Sequence, residues 1–237
     1  MWLDEPKSHA MQGGVGRKII EDSDASARDR LIDAGEALFA LHGFNGASLR
    51  QICSAAGARN NFAVQYHFGN LENFARAIVE SRAAAYEMQR GALLAEATHA
   101  KPLTPRILIE ILHRPILDHL DAAGEPVGAR FMVALQNAPW GWRPLSELTN
   151  SPITQQLLRL LEELIPDLPP PVIWQRLFLT SSMIMNCAAQ MPKIGSEDFH
   201  RAVIENAFVM AAAGLEAPLD QTTAHAMTEL HRQDWLD

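Results

Sequence analysis

Residues 30–74 read RLIDAGEALFALHGFNGASLRQICSAAGARNNFAVQYHFGNLENF, and their spacing decides the architecture. Leu31, Ala34, Leu38 and Leu41 fall three, four and three apart, which sets one apolar stripe on a helix that Gly43 ends by supplying a permissive C-terminal residue. Ser48 then precedes a second apolar face of Leu49, Ile52, Cys53 and Ala56, with Gln51 three residues on, the pattern of an N-terminal capping box. Gly57 interrupts this helix after about two turns, and a new short segment from Asn60 to Tyr66 begins at once. Two short helices joined by a tight glycine turn form a helix-turn-helix. Leu71, Phe74, Ala75, Ile78 and Val79 then line one side of a longer helix, 71–94, that connects this small domain to the rest.

Outward from that unit, helical spacing prevails and β-branched clusters bounded by hairpin turns are missing, so the expected fold is all-α. Residues 1–25 mix glycines, Pro6 and acids without periodicity and are expected to form a flexible N-terminal arm. Residues 26–72 are expected to form a three-helix domain around this helix-turn-helix, and residues 73–237 a helical bundle. Proline and glycine punctuation places the bundle helices at about 105–122, 128–137, 151–165, 171–190 and 197–213, with a tail helix near 220–234. The four prolines between Pro166 and Pro171 suggest an extended spacer.

With 48% of its 237 residues apolar, the chain can bury a sizeable core. No run of eighteen apolar residues and no apolar leader segment appears, so the expectation is a cytoplasmic protein without a membrane partner. Cys53 and Cys187, each inside an apolar stretch, read as buried thiols and not as a disulfide or metal framework. The formal charge of −8 is unevenly spread: residues 17–90 carry nine basic and nine acidic side chains, residues 91–237 ten and seventeen. From Phe44 to Arg76 three arginines stand against one acid, a local surface able to face phosphates.

Ala37-Leu38-Phe39, Gly43-Phe44, Ser48-Leu49, Ile52, Ala56-Gly57, Val64 and Tyr66-His67-Phe68-Gly69 followed by Glu72 form an ordered set. In this set the chain resembles the tetracycline-repressor (TetR) family of transcriptional regulators. The resemblance covers the DNA-binding fifth of the chain. It implies a homodimeric repressor bound to a palindromic double-stranded DNA operator and released by a small-molecule effector held in the C-terminal domain, with no cofactor. The residues placed to meet DNA are Ser48, Arg50, Arg59, Asn60, Asn61, Phe62, Gln65, Tyr66 and His67, with Leu49, Ile52, Val64 and Phe68 holding the unit together. Asn and Gln side chains can pair with adenine and Arg with guanine or phosphate. Phe62 either touches a thymine methyl or turns into the small core, and His67 either packs or meets a phosphate. Three departures from the usual family pattern stand out: a turn one residue longer between Gly57 and Phe68, Gln65 in place of a phosphate-contacting Tyr, and Leu71 in place of a backbone-gripping Lys.

The effector half is less patterned. Trp140 and Trp142 flank Gly141 in a Gly/Pro-rich connection, where they either line a pocket mouth or pack over the bundle. Ser181, Ser182, Asn186 and Gln190 interrupt an apolar run containing Met183, so they are expected to bond across a subunit interface or to meet a ligand. Trp140, Trp142, Met183, Asn186 and Gln190 are thus the ligand-binding candidates. Helices 171–190 and 197–213 match in position the pair that, by the resemblance, forms a four-helix bundle with a second subunit. On the latter, Phe199, Val203, Asn206, Met210 and Gly214 share a face that is either the dimer surface or internal core. No metal-type histidine spacing, phosphate loop or nucleophile elbow points to an enzyme. His113, His119, His225 and His231 suit solvated or capping roles. The alternative function is a helical binding protein that has lost specific DNA recognition.

Overall fold

The computed structural model describes residues 13–100, 102–141, 151–191, 195–220, 222 and 226, with side chains from Ser26 onward. Among the described residues there are nine helices and no strand. The small domain is built from α1 (Gly13–Gly46), α2 (Leu49–Ala55), α3 (Ala63–Phe68) and the start of α4 (Leu71–Ala100). The bundle adds α5 (Pro105–Leu117), α6 (Val127–Gln136), α7 (Pro152–Leu164), α8 (Pro170–Ala189) and α9 (Glu197–Glu216). The backbone is helical from Gly13, so the arm expected over residues 1–25 is α1 over its second half, while residues 1–12 lie outside the described residues.

Gly43 breaks α1 with φ 68° and ψ 172°, a conformation open to glycine because it has no Cβ. The buried stripe of α1 differs from the sequence expectation: Leu31, Ile32, Gly35 and Phe39 face inward, whereas Leu41 is 66% exposed. The reason lies in α4. A Cβ on Gly35 would come within 2.4 Å of the Phe74 ring, so the two helices approach most closely where α1 lacks a side chain. Phe74 then meets Phe39 edge-on at 5.7 Å and Phe68 at 4.6 Å.

The second layer is fastened by helix-terminal chemistry. Thr104 caps α5 by accepting the Ile107 N–H, with Pro105 at the first helical position. Pro170 and Pro171 occupy the first helical positions of α8, and residues 166–168 turn, with the Leu168 N–H donating to Ile165 O at 3.2 Å, so the tract expected as an extended spacer is a turn followed by a helix start. Helix α1 packs most extensively on α6, and α8 packs on both α6 and α9. The tail helix expected near 220–234 falls almost wholly outside the described residues.

Candidate nucleic-acid interface

The reading unit is held by a series of local bonds. Ser48 Oγ accepts the Gln51 N–H at 3.2 Å and Gln51 Oε1 accepts the Ser48 N–H at 2.9 Å, so the capping box expected from sequence is formed in both directions. Gly57, at φ 66°, turns the chain between α2 and α3. Arg30 reaches from α1 to donate from Nε to the Ala56 carbonyl at 3.2 Å, satisfying a backbone acceptor at the end of α2. Arg28 lies over the Phe68 ring at 5.2 Å. Neither arginine stands out in the sequence, because each acts on an element 26 or more residues away. At the other end Gly69, at φ 79°, closes α3, and Asn70 Oδ1 accepts the Asn73 N–H at 2.8 Å to start α4.

On this frame Ile52, Val64 and Phe68 are buried, as expected of holding residues, whereas Leu49 is 36% exposed and contributes less. Ser48, Arg50, Arg59, Asn60, Asn61, Phe62, Gln65 and Tyr66 are all exposed, and His67 is half-buried between Tyr66 and Phe68. Phe62 is 69% exposed, so of its two alternatives the core position is excluded. Helix α3 begins at Ala63 and not at Asn60. The reason is Asn60 itself: its Oδ1 accepts the Phe62 N–H at 2.9 Å, an Asx turn that delays the helix. That bond takes one lone pair of the Asn60 oxygen and fixes its orientation, leaving a second lone pair and the NH2 donors open to a base. Leu71 is half-buried and packs against the core, so the position that carries a cation in the resemblance is spent on packing here.

No family model and no curated protein matches the sequence. Among solved structures, the chain is similar to a TetR family transcription regulator from Marinobacter aquaeolei VT8 at a TM-score of 0.55 and 18% identity, covering 82% of this chain and 97% of that one. This chain has the TetR fold. The likeness runs through both halves of the molecule, whereas the sequence resemblance ends near Phe74.

In the C-terminal half of this TetR fold, the ligand-binding candidates of the sequence do not converge. Trp142 lies outside the described residues, and Trp140 packs edge-on against Phe44 at 5.3 Å. Met183 is half-buried against the core. Three of the four polar side chains singled out in the sequence find a partner one turn back: Ser182 donates to Phe178 O at 3.0 Å, Asn186 to Ser182 O at 2.9 Å and Gln190 to Asn186 Oδ1 at 3.1 Å. The fourth, Ser181, pairs with His113 of α5. Gln190 does line a cleft of about 610 Å³ between the end of α1, α6 and the end of α8, together with Phe39, His42, Phe44, Arg130 and Asn137. Arg130 is committed there to Glu125 at 2.6 Å and to Ala189 O at 3.2 Å.

Two histidines expected to be solvated or capping are instead structural links. His113 is buried; its Nδ1–H donates to Ile109 O at 2.7 Å, which leaves Nε2 to accept from the Ser181 hydroxyl at 2.7 Å. Burial, aided by the nearby Arg90 cation, pushes its pKa down to about 4. His119 Nδ1 meets the Tyr86 hydroxyl at 2.6 Å and lies 3.6 Å from Glu36. Glu36, buried on α1, also receives Arg82 of α4 at 2.6 Å, and Arg82 reaches Asp33 at 2.7 Å. This cluster joins the reading domain to the bundle through charge pairs that leave no buried ion uncompensated. Burial raises the Tyr86 hydroxyl pKa, so it stays a neutral donor or acceptor. His225 and His231 lie outside the described residues.

Proposed function

We propose that this protein is a transcriptional regulator that binds specific duplex DNA as a homodimer, most often as a repressor, and leaves its palindromic operator when a small molecule binds the helical bundle. The observation that carries the reading is the exposed set Arg59, Asn61 and Phe62 on the turn before α3 and Gln65 and Tyr66 on α3, whose opposite side, Val64 and Phe68, is buried. An isolated helix of this length is unstable in water, so its fixation by caps and by the aromatic core makes sense as a device for presenting side chains at constant spacing. The adjoining cationic residues Arg50 and Arg59 suit phosphates, and the acidic excess of the chain belongs to the other half. Such a protein works where chromosomal DNA is, in the cytoplasm, and acts by binding and not by catalysis.

Homodimerisation is supported by α8 and α9. Leu179 on α8 and Phe199, Val209 and Met210 on α9 are exposed, while Ala207, Phe208, Ala211, Ala212 and Leu215 point inward. Effector response is supported by the seam cleft, whose volume suits a small molecule and whose walls include the Gly43 break. An aromatic line runs from Phe68 through Phe74, Phe39 and Phe44 to Phe131, so a shift of α6 has a packed path to α3.

The test is selection of bound duplexes from random or genomic fragments, followed by titration against nonspecific competitor at several salt concentrations. The expected result is an enriched palindrome whose complex survives competitor and weakens as salt rises. Equal binding of all sequences, or none at physiological salt, overturns the proposal and favours a binding protein that has lost DNA recognition, a reading to which the uncharged Leu71 lends itself.

A further inference from the structure

Phe62 is a large apolar side chain among exposed polar residues of the small domain, and more than two-thirds of it is open to solvent. Its backbone is nevertheless fixed. The Asn60 side chain holds its N–H at 2.9 Å, its carbonyl accepts the Tyr66 N–H at 2.9 Å in the first turn of α3, and the preceding carbonyl of Asn61 receives the Cys53 thiol at 3.4 Å. A ring carried on a fixed backbone and facing solvent forfeits burial energy unless a partner supplies an apolar surface. Its neighbours are Arg59, Asn61, Gln65 and Tyr66, all exposed, in a stretch with three arginines against one acid.

A polyanion with polar contacts around one apolar spot fits those surroundings. The DNA major groove is such a surface, because among its base edges only thymine carries an exposed methyl group. Asn60 and Gln65 are the amides able to pair with adenine by hydrogen bonds, and the Asn60 oxygen is already turned toward the Phe62 N–H. The adjoining Phe62 ring offers this step an apolar contact that neither amide supplies.

We propose that Phe62 is a specificity-determining residue that reads the 5-methyl group of one thymine in each operator half-site. This rests on the DNA-binding function proposed above and assigns one of its base contacts. The full-length protein is titrated with its selected duplex and with duplexes in which each thymine in turn is replaced by deoxyuridine, which removes the methyl and keeps every hydrogen-bonding group.

One thymine per half-site is expected to stand out, its replacement weakening binding by about fourfold, the worth of one buried methyl-sized group. In Phe62→Ala, thymine and deoxyuridine at that step are expected to bind within about twofold of each other, since the ring that senses the methyl is gone. Phe62→Leu keeps an apolar contact and retains part of the preference. Since Phe62 is exposed, both variants are expected to fold, checked by unchanged thermal unfolding. Indifference of the native protein to every deoxyuridine, or a methyl preference that survives in Phe62→Ala, overturns the assignment while leaving the operator intact. Failure to enrich any sequence overturns the DNA-binding reading itself and this contact with it.

Discussion

Asn60, just before α3, and Gln65, on it, are both exposed amides, yet they are expected to behave differently when removed. Asn60 Oδ1 is a backbone acceptor at the start of the helix, so Asn60→Ala should cost about 1 kcal/mol of stability and weaken all duplexes alike. Gln65 makes no such bond, and Gln65→Ala should leave thermal unfolding unchanged but lose about 1–3 kcal/mol of discrimination at one base step. Unfolding curves and a panel of single-base operator variants separate the two; a stable Asn60→Ala that loses discrimination would return the base contact to Asn60. The same distinction between surface and support applies to His113. Its folded pKa of about 4 lies below the ordinary 6.5, so between these values the unfolded chain takes up a proton that the folded chain refuses. Above pH 6.5 the group has no effect, and as pH falls toward 4 it destabilises the fold by up to roughly 3 kcal/mol. His113→Gln, which keeps a partner for Ser181, should flatten the fall in melting temperature over that range. An unchanged slope would mean that other groups carry the acid sensitivity.

At the scale of elements, Gly35 pits propensity against packing. Alanine in mid-helix is favoured over glycine by about 1 kcal/mol, but the added Cβ meets the fully buried Phe74 ring at 2.4 Å. Overpacking of about 1–3 kcal/mol outweighs the gain, so Gly35→Ala should lower the melting temperature and loosen the α1–α4 contact that seats α3. A rise in melting temperature would show that Phe74 yields easily. This contact also marks the limit of what the sequence discloses. Helix ends are legible because their signals are local: Ser48 with Gln51, Gly43, Gly57 and the prolines act on their immediate chain neighbours. Helix faces are less so. Spacing alone selects Leu41, whereas the buried positions are Gly35 and Phe39, chosen by the approach of α4. The start of α3 falls at Ala63 and not at Asn60 because the Asn60 turn competes with helix. The histidine links are illegible, since His113 meets Ser181 across 68 residues and His119 meets Tyr86 across 33.

For the whole molecule, the function proposed above turns on the link between pairing of two chains and grip on DNA. One α3 spans too few base pairs for tight recognition, and two held at a fixed separation multiply their contacts. The outer faces of α8 and α9 offer the apolar surface for such pairing, since Leu179 and Met210 are each more than half exposed while their helices bury the opposite side. Leu179→Glu combined with Met210→Glu places charges on this surface without touching the core of either chain. The proposed dimer would carry four buried, unpaired carboxylates at its interface, a cost that outweighs whatever apolar packing survives around them. Light scattering should then report the mass of one chain where the native protein gives two, with the helical signal and melting temperature of the isolated chain retained. Affinity for the full palindrome should fall to that for a single half-site, because α3 and its caps are untouched but no longer paired. A native protein that is already monomeric, or a charged variant that stays dimeric with full affinity, would place the pairing surface elsewhere and detach α8 and α9 from DNA binding.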